Sequence, residues 1–491
     1  GKTTQVLQRL CRGGPDKRQI LMVPEQQSHE AERALCRFGG DRVSLYAEVL
    51  SFSRLSNRVF LAEGGMGEPE LDAGGRILMM HRAVRSVASQ LTVYARPSRR
   101  PAFLEELLST EEVNKSGLVW RELLLQAGEE AGAGEGDKLH DLGLICTAYE
   151  ALSTRTALDP RDRLARTAEK LRDCPWAQGA DLWLDGFTDF TPQQQEVLRE
   201  LLKQADTVTV TLTCDHLEED EGGAGIFSPA RRTAAQLLRL AKQERISCEV
   251  ETLDRQDPAK APELQTVERQ LFAQERPEPV SCGGAVELFQ ASTPRSEVER
   301  TAARIRELVR KEGYRYRDMG VVARDFSAYQ PLIESVFSRY EIPVFSSAMT
   351  DILEKPILTL VTAALDTVAN GYRYDDVFRY LKTGLTDLSQ EDQDLLENYV
   401  IKWNLRGSRW TQKKDWAMHP AGYGADWTKE DQTLVKRLDW ARRQVAEPLE
   451  LLRKNTNHTG RGQAIALYSF LEKIGLPERL EERVEELRRR D

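Results

Sequence analysis

The chain has 491 residues, 40% hydrophobic and 30% charged, with a formal net charge of −9 at pH 7. That length predicts about three domains of ordinary size, each able to bury its own core, and the acidic balance excludes a uniformly basic nucleic-acid coat while leaving room for a groove of local positive potential. No apolar run approaches the roughly 20 residues of a membrane span, no basic-then-apolar leader opens the sequence, and the seven cysteines are scattered without a Cys-x-x-Cys pair, so a cytoplasmic protein with reduced thiols and no zinc or iron–sulfur site in this span is expected.

Gly1-Lys2-Thr3 matches the C-terminal end of a phosphate-binding loop, in which the lysine reaches the β/γ-phosphates, the hydroxyl joins Mg²⁺ and the following helix, opening with Thr4, points its N-terminus at the anion. The tripeptide alone is a weak signal. Its surroundings strengthen it, because Val6, Leu7 and Leu10 give the next segment a helical apolar face and Gln19 to Val23 reads as a buried strand. Ala31, Leu35 and Phe38 then fall at helical spacing, and Val43 to Leu50 leads through Ser51-Phe52-Ser53 into another helix, so residues 1 to about 58 are α/β. From about 59 to 177 the pattern is helical, with apolar runs at Ile77 to Val84, Leu104 to Leu108, Leu139 to Leu152 and Leu164 to Leu171, interrupted by a Gly/Glu-rich surface loop at Gly128 to Asp137.

Strands return with Leu182 to Leu184 and with Thr207 to Thr213, where apolar residues and threonines alternate at period 2. The helical block is therefore expected to be an insertion into one α/β domain. Asp185 ends the first of these strands, where an open α/β sheet places its ligands, although a turn aspartate is common there too. Nucleotide hydrolysis requires two acids at such a site, one on the magnesium shell and one to orient or deprotonate the attacking water; position 186 is glycine. A Pro/Gly-rich linker spanning 276–284 precedes a second α/β unit with expected strands at Val286 to Gln290, Met319 to Ala323 and Pro343 to Phe345, and a helical region begins near 357.

Two basic clusters break the acidic average. Arg96 to Arg100 is one; the other runs from Lys402 to Lys414, carries Arg406 and Arg409, contains no acid, and is interleaved with Trp403 and Trp410 and followed by Trp416. Indole faces beside guanidinium groups suit a single strand, whose bases stack while its phosphates are neutralised; the same pattern fits tryptophans in a helical core beneath a solvated face. The six histidines stand apart, and His216 in Asp215 to Asp220 reads as part of a solvated acidic loop rather than a metal ligand.

Beyond these local readings, the chain resembles the AddB family, the B subunits of bacterial AddAB helicase–nucleases, and more remotely the UvrD-like superfamily 1 helicases. The resembling strings are Leu21-Met-Val-Pro-Glu-Gln26 with Ala31-Glu-Arg-Ala34, Val49-Leu-Ser-Phe-Ser-Arg-Leu55, Trp183-Leu-Asp-Gly-Phe-Thr-Asp-Phe-Thr-Pro-Gln-Gln194, Gly320-Val-Val-Ala-Arg324, Leu381-Lys-Thr-Gly-Leu385 and Leu395-Leu-Glu-Asn-Tyr399. The resemblance implies an α/β chain of P-loop, RecA-like helicase domains: domain 1A at 1–58 and 178–275, a helical insertion 1B at 59–177, the start of domain 2A at 284–356 and part of a helical 2B at 357–491. It implies an N-terminal fragment, with the nuclease domain and the cysteines of a 4Fe-4S cluster lying outside this span.

Carried over by position, the resemblance assigns nucleotide to Gly1, Lys2, Thr3, Thr4 and Asp185, and Mg²⁺ to Thr3 and Asp185. Motif II of active UvrD-like motors reads Asp-Glu-Phe-Gln-Asp against Asp185-Gly186-Phe187-Thr188-Asp189 here; the motif III string does not match Leu212 to Asp215, and the arginine-bearing Gln-Asn-Tyr-Arg string is not recognisable around Phe227 to Thr233. ATP binding with doubtful hydrolysis follows. Pro24, Glu25 and Gln26 correspond to motif Ia, and Ser51, Phe52 and Ser53 to motif Ib, both single-strand contacts, to which the basic cluster adds Trp403, Arg406, Arg409 and Trp410. The implied partners are an AddA-type motor subunit in a heterodimer and single-stranded and duplex-end DNA carrying the hotspot sequence Chi, with no membrane. Two other readings stay open: an active motor with an unusual motif II, and a protein-interaction scaffold with a vestigial ATP site.

Overall fold

The computed structural model describes residues 1–97, 100–132, 134–217, 225–253, 260–272, 279–281, 283–346, 352–353, 355–455 and 459–490. Ser98 and Arg99 of the first basic cluster, Glu218 to Asp220 of the acidic loop, residues 276–278 of the linker, Cys282 and His458 lie outside them. The chain divides into two compact units, Gly1–Phe289 and Gln290–Asp491.

The first unit is α/β. After α1 (Lys2–Gly13) come β1 (Gln19–Met22), α2 (Ser28–Gly39), β2 (Ala47–Leu50) and α3 (Phe52–Glu63); a helical run follows, α4 (Ala73–Val87), α5 (Pro101–Ser116), α6 (Arg121–Glu130), α7 (Glu135–Thr156) and α8 (Arg163–Asp173). The sheet then resumes with β3 (Asp181–Leu184), α9 (Pro192–Gln204), β4 (Thr207–Val210) and α10 (Ser228–Gln243). The four strands are parallel in the order β2-β1-β3-β4, so the segment from α4 to α8 is an excursion between neighbouring strands. Burial on both faces explains why β1 and β3 are apolar runs rather than alternating ones. Ile20, Met22, Leu182 and Leu184 face a core shared with α3, α8 and α9, while Leu21, Val23, Val49 and Trp183 face one shared with α1 and α2.

Polar side chains pin the register at the N-terminal edge of the sheet. Buried Gln19 accepts from the Trp183 indole N–H at 2.7 Å and donates to Asp181 at 3.0 Å, and Lys17 pairs with Asp181 at 2.7 Å. A one-residue slip would break all three contacts and exchange the two apolar faces. β4 is shorter than the expected Thr207 to Thr213: after Thr211 donates its N–H to Leu184 the ladder ends, and Thr211 and Thr213 turn their hydroxyls to other work.

The helical excursion has its own core, in which Met80, Ala83, Ile145 and Tyr149 are fully buried. Two buried carboxylates tie it down. Asp141 accepts the backbone N–H groups of Thr92, Val93 and Tyr94 at 2.9–3.1 Å. Asp159 takes Lys115 at 3.0 Å, Arg76 at 3.2 Å and the Tyr149 hydroxyl at 2.9 Å.

The second unit is helical among its described residues. A packed pair, α12 (Pro294–Glu312) and α13 (Phe326–Arg339), follows the short α11 (Pro262–Gln270) of the first unit and shares Val298, Ala302, Ile333, Val336 and Phe337. A larger core then joins α14 (Pro356–Asn370), α15 (Tyr374–Leu381), α16 (Gln390–Trp403), α17 (Ser408–Thr411), α18 (Lys429–Asn455), α19 (Gly460–Lys473) and α20 (Leu476–Arg490). The three strands expected at Val286 to Gln290, Met319 to Ala323 and Pro343 to Phe345 are not formed. Leu288, Val322 and Phe345, one in each of these segments, are more than 90% exposed. An apolar run becomes a strand only where another strand accepts its hydrogen bonds. No helix among the described residues is long and apolar enough to cross a membrane.

Candidate nucleotide site and nucleic-acid interface

The C-terminal edge of the sheet gathers the residues of the nucleotide assignment. Val6, Leu7 and Leu10 bury one face of α1 against the sheet, which leaves its first turn over the end of β3. Parallel pairing of β1 with β3 places Asp185 directly after the edge, its N–H donating to the Met22 carbonyl at 3.0 Å. There the Thr3 hydroxyl donates to one Asp185 oxygen at 2.6 Å, and the Thr211 hydroxyl donates to the other. Lys2 bonds the Thr213 hydroxyl. Lys2, Thr3 and Asp185, up to 183 residues apart in sequence, thus converge, while Gly1 caps the helix and Thr4 stays exposed in its first turn.

The backbone at position 186 disfavours a side chain, and the residue there has none. Gly186 has φ 82°, in the left-handed region, and a Cβ there would stand 2.5 Å from the Gln27 side-chain oxygen and 3.3 Å from Pro24. The site also contains groups the sequence reading missed. Arg231, 5% exposed on α10, forms a two-pronged pair with Asp215, Nε at 3.0 Å and Nη2 at 3.1 Å. Burial raises the Asp215 carboxyl, but its backbone hydrogen bonds and Arg231 more than offset this and hold it below the usual range. The signal available was an arginine in the helical string Ala230-Arg231-Arg232-Thr233-Ala234-Ala235, a place where a solvated helix face is the ordinary reading. Among the described residues no group of three or more His, Cys, Asp or Glu is placed to hold a metal ion.

The single-strand assignments divide. Glu25, Gln26 and Ser53 are exposed and Pro24 half-buried. Ser51 is buried and accepts the Arg54 N–H at 3.2 Å as the N-cap of α3, and Phe52, 6% exposed, packs edge-on against Phe187 and Phe190 with centroids at 5.7 and 6.3 Å. Stacking of a base on Phe52 is therefore excluded in this conformation; of the three rings, Phe187 alone keeps partial exposure. Trp410 needs the same correction. It is fully buried between Tyr372 and Trp416, with its indole N–H on the Leu405 carbonyl, because α17 turns that side of the basic cluster inward. Trp403 is half-buried, and Arg406 and Arg409 are exposed.

Residues 1–268 match a family profile described as "ADDB, N-terminal". Over 486 residues the chain is 34% identical to the ATP-dependent helicase/deoxyribonuclease B subunit of Acetivibrio thermocellus, covering 96% of this chain and 42% of that protein. It is 35% identical over 481 residues to the protein of that name from Pelotomaculum thermopropionicum, covering 94% and 41%, and 32% identical over 493 residues to that of Clostridium tetani, covering 97% and 43%. The chain spans about two fifths of the length of these relatives. With more than half of its residues inside the family profile, the chain belongs to the AddB family.

Proposed function

We propose that this chain is the strand-holding, non-translocating part of a two-subunit ATP-dependent helicase–deoxyribonuclease that prepares double-strand breaks for recombination. The relatives are named as helicase/deoxyribonuclease subunits, which supports a second subunit, here an AddA-type motor. In this reading 1–58 and 178–275 form a RecA-like domain 1A, 59–177 the insertion 1B, 284–356 the start of 2A and 357–491 part of 2B. Single-stranded DNA, scanned for Chi in the bacterial cytoplasm, crosses the loops at Pro24 to Gln26 and Ser53; the nuclease and its 4Fe-4S cluster belong to the remainder of the longer protein.

One observation carries the reading: Thr3 meets Asp185 at 2.6 Å beside a glycine held in the left-handed backbone region. A hydroxyl and a carboxylate in contact are the hard oxygen donors that Mg²⁺ takes with nucleotide phosphates, so Thr3 and Asp185 fit the ion and Lys2 the β/γ-phosphates. Mg²⁺ there would neutralise phosphate charge. The chain's own residues hold the ground state and offer little to the transition state: no carboxylate projects from position 186 to align water, and Arg231 is committed to Asp215. Asp185→Ala should weaken Mg-dependent ATP binding while leaving DNA-stimulated turnover at the same negligible level. Turnover of a motor's magnitude that Asp185→Ala abolishes would overturn the proposal.

A further inference from the structure

The helical unit contains a cleft that neither the family nor the fold assigns. Residues 417–427 fold back over the end of α16 and over α17, held by three side-chain bonds from α16 to their backbone. Tyr399 donates its hydroxyl to the Met418 carbonyl at 2.8 Å, Trp403 its indole N–H to the His419 carbonyl at 3.1 Å, and Lys402 its ammonium to the Pro420 carbonyl at 2.8 Å. The Ala421 N–H donates to His419 Nδ1 at 3.0 Å, so the neutral ring carries its proton on Nε2, 3.3 Å from the Asp426 carbonyl. Between this strap and residues 403–409 lies an open cleft of about 820 Å³, within the size range of small-molecule pockets, about 300–1,000 Å³.

Its lining combines aromatic faces with uncompensated positive charge. Tyr423 meets Trp403 edge-on at 4.6 Å and Trp427 meets His419 edge-on at 4.6 Å, yet Tyr423 is 94% and Trp427 47% exposed, so both rings keep surface for a ligand. Arg406 and Arg409 line the same cleft, no acid does, and neither guanidinium forms an ion pair among the described residues. In a chain of net charge −9 an acid-free aromatic cleft with two arginines is a local inversion of the surface. Planar faces beside guanidinium groups recognise a nucleobase joined to a phosphate, each through a different force.

We propose that this cleft binds one nucleotide, with the base against Tyr423 and Trp427 and the phosphate on Arg406 and Arg409. The choice of a DNA strand as the source of that nucleotide rests on the single-strand reading above; the cleft is open at its mouth, and Lys413 and Lys414, a few residues past Arg409 in sequence, are exposed. The strap positions the two rings, and Trp410, buried beneath, sets the floor of α17.

Photo-crosslinking tests this directly. An oligothymidylate carrying one 5-iodouracil is bound to the full chain, irradiated, and the linked peptide identified, with dTMP as competitor. The expected link falls on Tyr423 or Trp427, and the Tyr423→Ala/Trp427→Leu double variant should bind the oligonucleotide about ten- to a hundredfold more weakly. Arg406→Glu/Arg409→Glu should lower the dependence of log affinity on log salt by about one to two. Loss of the crosslink to millimolar dTMP assigns the cleft to free nucleotide, and persistence assigns it to the strand; both support base-and-phosphate recognition. Because Tyr423 is almost wholly exposed, Tyr423→Ala alone should melt like wild type, which separates lost binding from lost folding. Crosslinks confined to the first unit, with unchanged affinity in every variant, overturn the cleft and leave the single-strand reading standing. Failure of the wild type to bind oligonucleotide or dTMP at all overturns both.

Discussion

Placing a side chain at position 186 tests the nucleotide site through the backbone rather than through chemistry. Gly186 sits at φ 82°, and a Cβ there lies 2.5 Å from Gln27 Oε1 and 3.3 Å from Pro24 Cδ. The left-handed backbone costs an L-residue about 1–2 kcal/mol. The Gln27 clash adds little, since that side chain is exposed and can swing away. Gly186→Ala and Gly186→Glu are therefore both expected to destabilise the first unit by about 1–2 kcal/mol, lowering its melting temperature by about 2–6 °C. Glutamate should be only slightly worse than alanine, and Gln27→Gly should recover only a small part of the loss in either variant. Scanning calorimetry gives the melting temperatures, and steady-state ATP turnover with single-stranded DNA accompanies it. No turnover is expected from Gly186→Glu, because the acid enters on a displaced backbone and Arg231 remains paired with Asp215. Wild-type melting of Gly186→Ala would refute the claim that this turn demands glycine, and DNA-stimulated turnover by Gly186→Glu would refute the claim that more than one catalytic part is missing.

Other perturbations separate binding from folding. Lys2→Ala and Asp185→Ala each remove a charged group of the proposed nucleotide site and should weaken ATP binding about ten- to a hundredfold by calorimetric titration, Lys2→Ala with little change in melting and Asp185→Ala with an added loss of about 1–3 kcal/mol as the Thr3 and Thr211 hydroxyls lose their acceptor. Trp410→Ala should cost about 3–5 kcal/mol in denaturant unfolding, the cost of emptying a buried indole site, so any lost DNA affinity in that variant reports unfolding. Ser51→Ala should cost about 1 kcal/mol through the lost cap of α3. For Asp159, burial raises the carboxyl, but Lys115, the Arg161 N–H and Arg76 outweigh it and hold the group below its usual range. A carboxyl depressed on folding adds stability above its unfolded value, about pH 4, and that stability is lost as pH falls through the lower folded value. The helical excursion should thus lose stability below about pH 4, and Asp159→Asn, expected to cost about 3–5 kcal/mol at pH 7, should flatten that acid limb of the melting curve.

The parts of the fold legible in the sequence were those with one physical explanation. Gln19 to Val23 and Leu182 to Leu184 are too short and too apolar for anything but a strand buried on both faces, and they form β1 and β3. The apolar runs from Ile77 to Leu171 fall inside α4, α5, α7 and α8. Legibility failed where a residue's environment is set by distant chain. Val322 and Phe345 have strand-like neighbours but form no strand among the described residues. Phe52 and Trp410 sit in polar strings that suit DNA, yet each turns inward onto rings supplied from elsewhere, Phe187 and Phe190 in one case and Tyr372 and Trp416 in the other. Conversely, Tyr423 and Trp427 gave no periodic signal because glycines and short turns surround them, and only the folded strap brings them opposite Arg406 and Arg409. The Lys2, Thr3 and Asp185 constellation was readable because each member lies at an element boundary, where a side chain's direction follows from the strand or helix it terminates.

The central claim is that the site at the sheet edge holds nucleotide and cannot spend it, and occupancy and turnover measured on one preparation test it most directly. The chain, with single-stranded DNA and Mg²⁺, would be titrated with ATP to find the bound fraction, and phosphate release would be followed in the same samples. Saturable Mg-dependent binding of about one ATP per chain, with phosphate release no faster than in the Asp185→Ala variant, is the predicted result. Release that rises with added DNA, at one per second or more per occupied site on the scale of ordinary enzymes, and that disappears in Asp185→Ala, would contradict the account.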